Sequence, residues 1–540
     1  MNRMDFEQFK QRILDYLEQA RELEEKDIEE HKNLSENDKI EGGYMIKDAV
    51  VIESNGKDVC RLFAPSNYTK WRTGDSINFI CKNTQLTGTC TIEENYNNNL
   101  SLLGLPHSVG DVFDLHIKES ELLSIFISTI KQTEDGGLGS GYMKVLGGLS
   151  TPQIKNNIAP PAASSIPQHL NKEQQKAVCE ILLLPQFYTI QGPPGTGKTD
   201  LLAVIAKMFS DQGKDVLVVS NTHYAVNNAL NKIARYNLPT YKIGDILKSK
   251  DLEPNIIAIG HLKDFKYRRR KSRVTTNGDV VGMTLCGVIC HKVSHKTSFT
   301  PSVVLVDEAS QISFAQAMAI GTFGASCNIF IGDNLQMPPI FHQNIANDPL
   351  SVSVFEKLQS ILPDNLKTVL TTSYRMNAPI CNYVSKNFYE PHGITLNSYD
   401  GISKRCVGSE ELDAAIEFIE VDAKDCTDYN KEEALIAVET AKKYKLLGES
   451  VAIITPFRKQ VNCLREEWAS ICGDMEQILI DTVERLQGQD VDVVILSMSV
   501  SDLEYYKTNY LFIENRNRLN VMVSRAKKKV VIIKSPILKM

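Results

Sequence analysis

No stretch of about 18 consecutive apolar residues occurs in this 540-residue sequence, and no apolar leader opens it, so neither a membrane span nor a secretory route is expected. Its 12 cysteines include no Cys-x-x-Cys pair, which excludes a zinc ribbon or an iron–sulfur module and fits reduced thiols in the cytoplasm. Positive charge is not in excess: 60 Lys and Arg face 66 Asp and Glu, a net charge of −6. A polybasic coat is therefore excluded, and any nucleic-acid partner must meet positive charge gathered in a groove. Sequence-level repeats are also lacking. At about 150 residues per domain, the length leaves room for three or four domains with cores of their own.

The dominant positive signal is Gln191-Gly192-Pro193-Pro194-Gly195-Thr196-Gly197-Lys198-Thr199. It follows the apolar runs Ile181–Leu184 and Phe187–Ile190, read as buried strand, and precedes a helical pattern from Leu201 to Met208. Glycines at these positions let backbone N–H groups curl round a polyphosphate, and the following helix N-terminus adds favourable partial charge. Lys198 is expected to reach the β- and γ-phosphates, and the Thr199 hydroxyl to ligate magnesium. Further on, Val303–Val306 delivers Asp307-Glu308-Ala309-Ser310-Gln311 at a strand end. There an aspartate can hold Mg2+ and the next glutamate can orient or deprotonate water. Ile329–Ile331 leads into Gly332-Asp333-Asn334-Leu335-Gln336-Met337-Pro338-Pro339, where the Gln336 amide, able both to donate and to accept hydrogen bonds, can report whether a γ-phosphate is present.

Along the chain, the spacing of Phe6, Phe9, Ile13, Tyr16, Ala20 and Leu23 predicts a long amphipathic helix within residues 1–40, packing on its own chain or on a protein partner. Short β-type runs at 49–52, 59–63, 77–80, 89–92 and 112–117, separated by Asn55-Gly56, Thr73-Gly74 and Asn97–Asn99, predict a small β-barrel over 41–125. Such a barrel serves as scaffold or holds a nucleic-acid strand. Glycines between 136 and 148, then Ala159–Ser165, predict a connector over 126–165. The remainder alternates helices with continuous β-branched runs, as strands buried on both faces of parallel sheets do. Two tandem α/β units are expected, at 166–345 with a short insertion near 235–281, and at 346–540.

These motifs, with Leu170–Gln174, Tyr374-Arg375-Met376, Ile454–Phe457 with Gln460, Thr482-Val483 with Gln487-Gly488, and Arg518–Val521 with Ser524–Lys527, resemble superfamily 1 helicases. The similar branch is that of the nonsense-mediated-decay RNA helicase and the immunoglobulin-mu-binding (Smubp) helicase. The resemblance implies two RecA-like domains behind a stalk helix and barrel, and an ATP- and magnesium-dependent motor on single-stranded DNA or RNA. It also implies movement 5′ to 3′, and a monomer is expected. Gln174 would read adenine and Tyr374 stack on it, while Gly488 and Asp490 would complete the nucleotide site. Arg375 and Arg525 would meet γ-phosphate charge, and Thr222, Thr284, Pro338 and Thr482 would touch the strand. A nucleotide-switched clamp with little unwinding is the alternative.

Several positions depart from the family pattern. Thr222-His223-Tyr224 replaces the usual Ser-Asn-x, Ser373 and Asn377 flank Tyr374-Arg375-Met376 in place of glutamine and histidine, and Asp490 replaces a glutamate. The zinc-rich module and a fused nuclease are not recognisable. Lys266–Arg273 is a basic run around Tyr267 that fits either a strand path or a solvated loop. Cys286, Cys290, His291 and His295 follow the Thr284 motif directly, and neither pair has the spacing of a closed zinc site.

Overall fold

A computed structural model describes residues 5–539 except 55–58, 66, 70, 72–74, 97, 119–121, 154–165, 261–264, 266–276, 296–298, 474–477 and 486–488. The fold is α/β, with two parallel sheets preceded by a long helix and a closed antiparallel barrel. The first sheet has eight strands in the order Ile257–Ile259, Thr240–Ile243, Val280–Thr284, Val216–Ser220, Val303–Val306, Cys327–Gly332, Phe187–Gln191, Lys367–Val369. Its central strands are buried along their whole length, as their unbroken β-branched runs require. The phosphate-loop strand Phe187–Gln191 pairs in parallel with Cys327–Gly332, so the loops that follow the two strands open at the same edge.

Three expectations about this unit are corrected. Ile181–Leu184 is not strand: Ile181 ends the helix Lys172–Ile181, and the chain turns through Leu184 at a φ of 55°. The run is apolar because it is buried, and its period could not separate helix from strand. The region near 235–281 is less an insertion than two further strands of the sheet, Thr240–Ile243 and Ile257–Ile259. The unit also continues past residue 345. Helix Val354–Ile361 packs in its core, and Lys367–Val369 pairs in parallel with Phe187–Gln191.

The second sheet runs Ile416–Glu420, Ala526–Lys534, Val491–Ser497, Val451–Thr455, Leu479–Thr482. Helices Lys431–Leu446 and Arg458–Cys472 cover one face, with Trp468 and Tyr444 in the core between them. The barrel joins Met45–Ser54, Val59–Phe63, Asn99–Leu103, Thr87–Tyr96, Ser76–Cys81 and Val112–Ile117 into a ring. The strand Asn99–Leu103 is not among the expected β-type runs: Asn99, expected in the turn Asn97–Asn99, opens it, and its inward residues are Leu100 and Leu102. The turn signals Asn55-Gly56 and Thr73-Gly74 lie outside the described residues.

The amino-terminal helix, Phe6–Asn33, starts at a capping box of Asp5 and Gln8. Phe6, Phe9, Ile13, Leu14 and Leu17 are buried in the core of the first sheet's unit, so its first half packs on its own chain. Its second half is exposed and carries Glu18–Arg21, Arg21–Glu25 and Lys26–Glu30 pairs, each a few tenths of a kcal/mol. His31 then stacks on Tyr44 at 3.9 Å, joining the helix end to the barrel's first strand. The connector proves partly helical. Leu122–Lys131 packs against the long helix, and Ser140–Leu146 buries Tyr142 and Met143. Glycine there serves close approach: a Cβ on Gly147 would stand 2.9 Å from the Phe9 ring. Ala159–Ser165 lies outside the described residues.

Behind the second sheet, Glu433 is fully buried, accepting from Ser497 Oγ at 3.0 Å and Ser499 N at 2.8 Å, while its Oε1 has no partner. Burial pushes its carboxyl up to about 7. A raised carboxyl holds its proton more tightly folded than unfolded, so its contribution to stability is lost as pH rises from about 4.5 to 7. Glu433→Gln is expected to be more stable than the parent at pH 8, on the order of 1–3 kcal/mol, with the gap closing by pH 5. Urea unfolding at both pH values checks this; an equal gap at both would refute it.

Candidate nucleotide site and strand-facing surface

The loop after Phe187–Gln191 closes on itself as the sequence requires. Gly195 and Gly197 take φ of 74° and 80°, a left-handed region open to glycine, and Lys198 begins the helix Lys198–Asp211. A Cβ on Gly192 would sit 2.2 Å from Lys198 Cγ, so the lysine side chain lies across the loop. Its ammonium donates to the Gly192 carbonyl and, at 3.4 Å, to that of Pro193. Thr196 Oγ1 donates to Pro193 O at 2.8 Å and fixes the turn. Thr199 occupies the helix's second position.

Asp307 and Glu308 end the strand Val303–Val306 beside that loop. Asp307 is buried, and its carboxyl is pushed up to about 7 by burial and by Glu308, against the pull of Lys198. A divalent cation held there with Thr199 would supply the missing counter-charge, so the residues fit magnesium. Glu308 adopts φ 50°, ψ 41°, a conformation a glutamate takes only when its surroundings impose it. Its carboxylate accepts from Gln311 Nε2 at 3.3 Å.

The second sheet's unit meets this loop directly. Tyr374 N donates to Gly195 O at 2.7 Å, and Ser373 Oγ donates to Pro194 O at 3.1 Å. A Cβ on Gly195 would stand 2.5 Å from Arg375 Cβ. Arg375 donates through Nη1 to Ser524 O at 2.9 Å and pairs through Nη2 with Asp490 at 2.8 Å. Arg525 is buried 3.9 Å from the same carboxylate and close enough to Glu308 to feel its charge. Burial and Arg375 pull its guanidinium down to about 10. The Nε of each arginine is buried without a hydrogen-bond partner, two donors with capacity for a phosphoryl oxygen.

Lys198, Asp307, Glu308, Arg375 and Arg525 are thus brought together, and three neighbours have partners within the protein. Asp490, expected to hold nucleotide, is a counter-ion of both arginines. Gln174, expected to read adenine, spends its amide on the Asn171 capping box and, at 3.2 Å, on Thr196 O. Gln336 donates at 2.7 Å to Asp333, which is buried at the same strand end. Tyr374 is half-exposed, its hydroxyl accepting from Asn171 Nδ2 at 3.1 Å and its ring 5.1 Å from Tyr399. Tyr399 was missed because it belongs to no motif and arrives through the short strand Asn397–Ser398. Gly488 and Gln487 lie outside the described residues.

Thr222 and Thr284 sit at the same edge of the first sheet, at or just past the ends of paired strands. Both hydroxyls cap helices, accepting from Ala225 N at 3.2 Å and Gly287 N at 3.1 Å, and keep their protons for another acceptor. Thr482 ends the second sheet's edge strand beside Asp481, which takes Arg458 at 2.8 Å and Arg465 at 3.2 Å. Pro338 is exposed next to Ile340. Arg458 also donates to Thr69 O in the barrel at 3.3 Å, while Lys248 and Lys250 reach barrel residues Asp75 and Glu93 at 3.1 and 2.7 Å. The barrel therefore borders this edge of both sheets. Beneath it lies Lys242, buried and pulled down to about 8 by burial, a cation hidden in a β-type run. The basic run 266–273 lies outside the described residues, as do the side chains of His291 and His295. Among the described residues no group of three or more His, Cys, Asp or Glu is placed to hold a metal ion.

An AAA domain family model matches residues 169–350, and another AAA domain model matches 350–536. The DNA replication ATP-dependent helicase/nuclease DNA2 of Gallus gallus is 27% identical over 402 residues, 71% of this chain and 38% of that protein. ATP-dependent helicase NAM7 of Saccharomyces cerevisiae is 27% identical over 456 residues, 74% of this chain and 45% of that protein. The chain spans less than half the length of these curated relatives. Among solved structures, Arterivirus nonstructural protein 10 (helicase) aligns at 14% identity over 92% of this chain and 78% of its own, with a TM-score of 0.42. ATP-dependent helicases are therefore homologues of this chain across both AAA segments.

At Gly195 the two units leave no room for a side chain. Gly195→Ala puts a methyl 2.5 Å from Arg375 Cβ and 2.7 Å from Ser373 Oγ, at a φ that costs about 1–2 kcal/mol for alanine. The variant is expected to hold its fold, show a larger radius of gyration by X-ray scattering, and bind nucleotide about tenfold more weakly. An unchanged radius and affinity would show that the contact is dispensable.

Proposed function

We propose that the chain is a nucleic-acid-stimulated ATP hydrolase that translocates 5′ to 3′ along single-stranded DNA or RNA and separates duplexes. The observation that carries this reading is that two arginines of the second unit stand against a phosphate loop and a strained glutamate of the first. A phosphotransferase confined to one α/β unit has no use for them. The loop amides and Lys198 hold the β- and γ-phosphates, and Thr199 with Asp307 would hold magnesium, which supplies charge neutralisation at the γ-phosphate. Glu308 receives a proton from the attacking water. Arg375 and Arg525 turn their free Nε donors to the transferring group, a contribution on the order of 10³ to 10⁵ in rate for such arginines. Closing and opening of the two units then alternates the grip of Thr222 and Thr284 with that of Thr482 on a strand backbone.

A second reading, a nucleotide-switched clamp with little unwinding, draws support from Asp490, which neutralises Arg375 when the units are already together. Strand displacement measured beside ATP turnover separates the two readings: a clamp hydrolyses slowly and displaces nothing. The relatives' names supply both DNA replication and helicase activity, and comparing matched DNA and RNA oligonucleotides with 5′ or 3′ overhangs decides substrate and direction.

Lys198→Ala is expected to abolish ATP turnover, and Glu308→Gln to keep ATP binding while losing about 10² to 10⁴ in turnover. Affinity for single strands, and with it stimulation at limiting strand, should fall between 50 and 200 mM salt, by about 3 × 10²-fold if about six phosphates are contacted. Full turnover in either variant overturns the assignment.

A further inference from the structure

The buried carboxylate of Asp333 is the meeting point of the two units. It follows the strand Cys327–Gly332 and is 1% exposed. Its Oδ2 accepts two hydrogen bonds, from Gln336 Nε2 at 2.7 Å and from the Tyr389 hydroxyl at 2.5 Å. Its Oδ1 accepts from Leu335 N at 3.2 Å and Gln191 Nε2 at 3.3 Å. Tyr389 belongs to the second unit: it is fully buried at the end of a π-helical turn, Ser385–Tyr389, an irregularity that recurs at functional positions. The same hydroxyl accepts from Asn520 Nδ2 at 2.8 Å. Asn520 and Asn517, on the helix Arg516–Val523, also donate to Leu335 O at 2.7 Å and Gln336 O at 2.6 Å. Leu335 and Met337 pack into the second unit's core. The loop that carries Gln336 grows from the first sheet yet is held by the second.

We propose that Tyr389 is a positioning residue that frees the Gln336 carboxamide to engage the nucleotide when the two units are closed. A buried carboxylate oxygen needs a donor, and a hydroxyl on an anion is a strong one. With Tyr389 in place, Oδ2 remains satisfied when Gln336 swings towards a γ-phosphate oxygen. Without it, Gln336 is the last side-chain donor on Oδ2 and stays pinned to Asp333. The Tyr389 hydroxyl reaches Asp333 where the two units meet, and on this proposal their closure licenses the movement. Neither Tyr389 nor Asn517 belongs to the phosphate loop or the arginine pair, and the proposal rests on the ATP-hydrolase reading above.

The test is a double-mutant cycle with Tyr389→Phe, which keeps the ring and its packing, and Gln336→Ala. ATP turnover is measured with and without a single-stranded oligonucleotide, and hydrogen–deuterium exchange is followed over residues 333–337 in the same 540-residue chains. Tyr389→Phe is expected to lower strand-stimulated kcat about tenfold with KM for ATP changed less than about twofold, and to have no further effect once Gln336 is alanine. Exchange over 333–337 should rise in Tyr389→Phe while that of the barrel strand Val59–Phe63 stays constant. Effects that multiply in the cycle would mean that Tyr389 acts independently of Gln336, and unchanged exchange would mean that its hydroxyl tethers nothing; either overturns the proposal. A parent protein without strand-stimulated turnover would instead overturn the functional reading, with the exchange experiment still deciding whether Tyr389 holds the loop.

Discussion

The close approach of Arg375 to Gly195 is the constraint on which the rest of the molecule depends. Two backbones meet there with no room for a methyl group, and hydrogen bonds from Tyr374 N and Ser373 Oγ to the phosphate loop hold them in register. Everything chemical in the cleft follows from that approach. Arg375 and Arg525 come from the far unit, and Lys198, Asp307 and Glu308 from the near one. Positive charge is collected locally in this cleft although the chain's net charge is −6.

Charge balance explains the state the cleft adopts. Two guanidiniums side by side repel, and in a buried place the repulsion is weakly screened. Asp490 stands 2.8 Å from one and 3.9 Å from the other, offsetting that cost. The carboxylates at the opposite strand ends, Asp307 and Asp333, carry the converse problem of buried negative charge. One is placed to take a cation and the other is surrounded by donors. Those donors include a tyrosine and, through it, an asparagine of the second unit, so the electrostatics of the first sheet's edge are completed by residues far away in sequence.

The barrel and the long helix are attached by different means. The helix is anchored by buried aromatic and aliphatic side chains at its start, whereas its exposed half is held helical by ion pairs and ends in a ring stack on Tyr44. The barrel reaches the two sheets mainly through exposed or half-exposed pairs such as Lys250–Glu93, which are worth little individually.

Much of this was legible in the residues. The phosphate loop needs glycine at Gly195 and Gly197 for its left-handed turns, and strands buried on both faces need unbroken β-branched runs, so both leave local signatures. The alternation of short strands in the barrel and the apolar seam of the first helix are local for the same reason. Misreadings fell where one local pattern serves two structures: the apolar Ile181–Leu184 suits a helix end as well as a strand, and the glycines of 136–148 suit close packing as well as a flexible link. What only the tertiary structure decided is which side chains share a partner. Asp490 between two arginines, Ser373 on Pro194, and Tyr389 with Gln336 on Asp333 are contacts between residues far apart in the chain. The sequence by itself determines the loop, the strands and the identity of the charged groups, because those depend on neighbours a few positions away; the pairing of those groups depends on how two sheets dock, which no local pattern encodes.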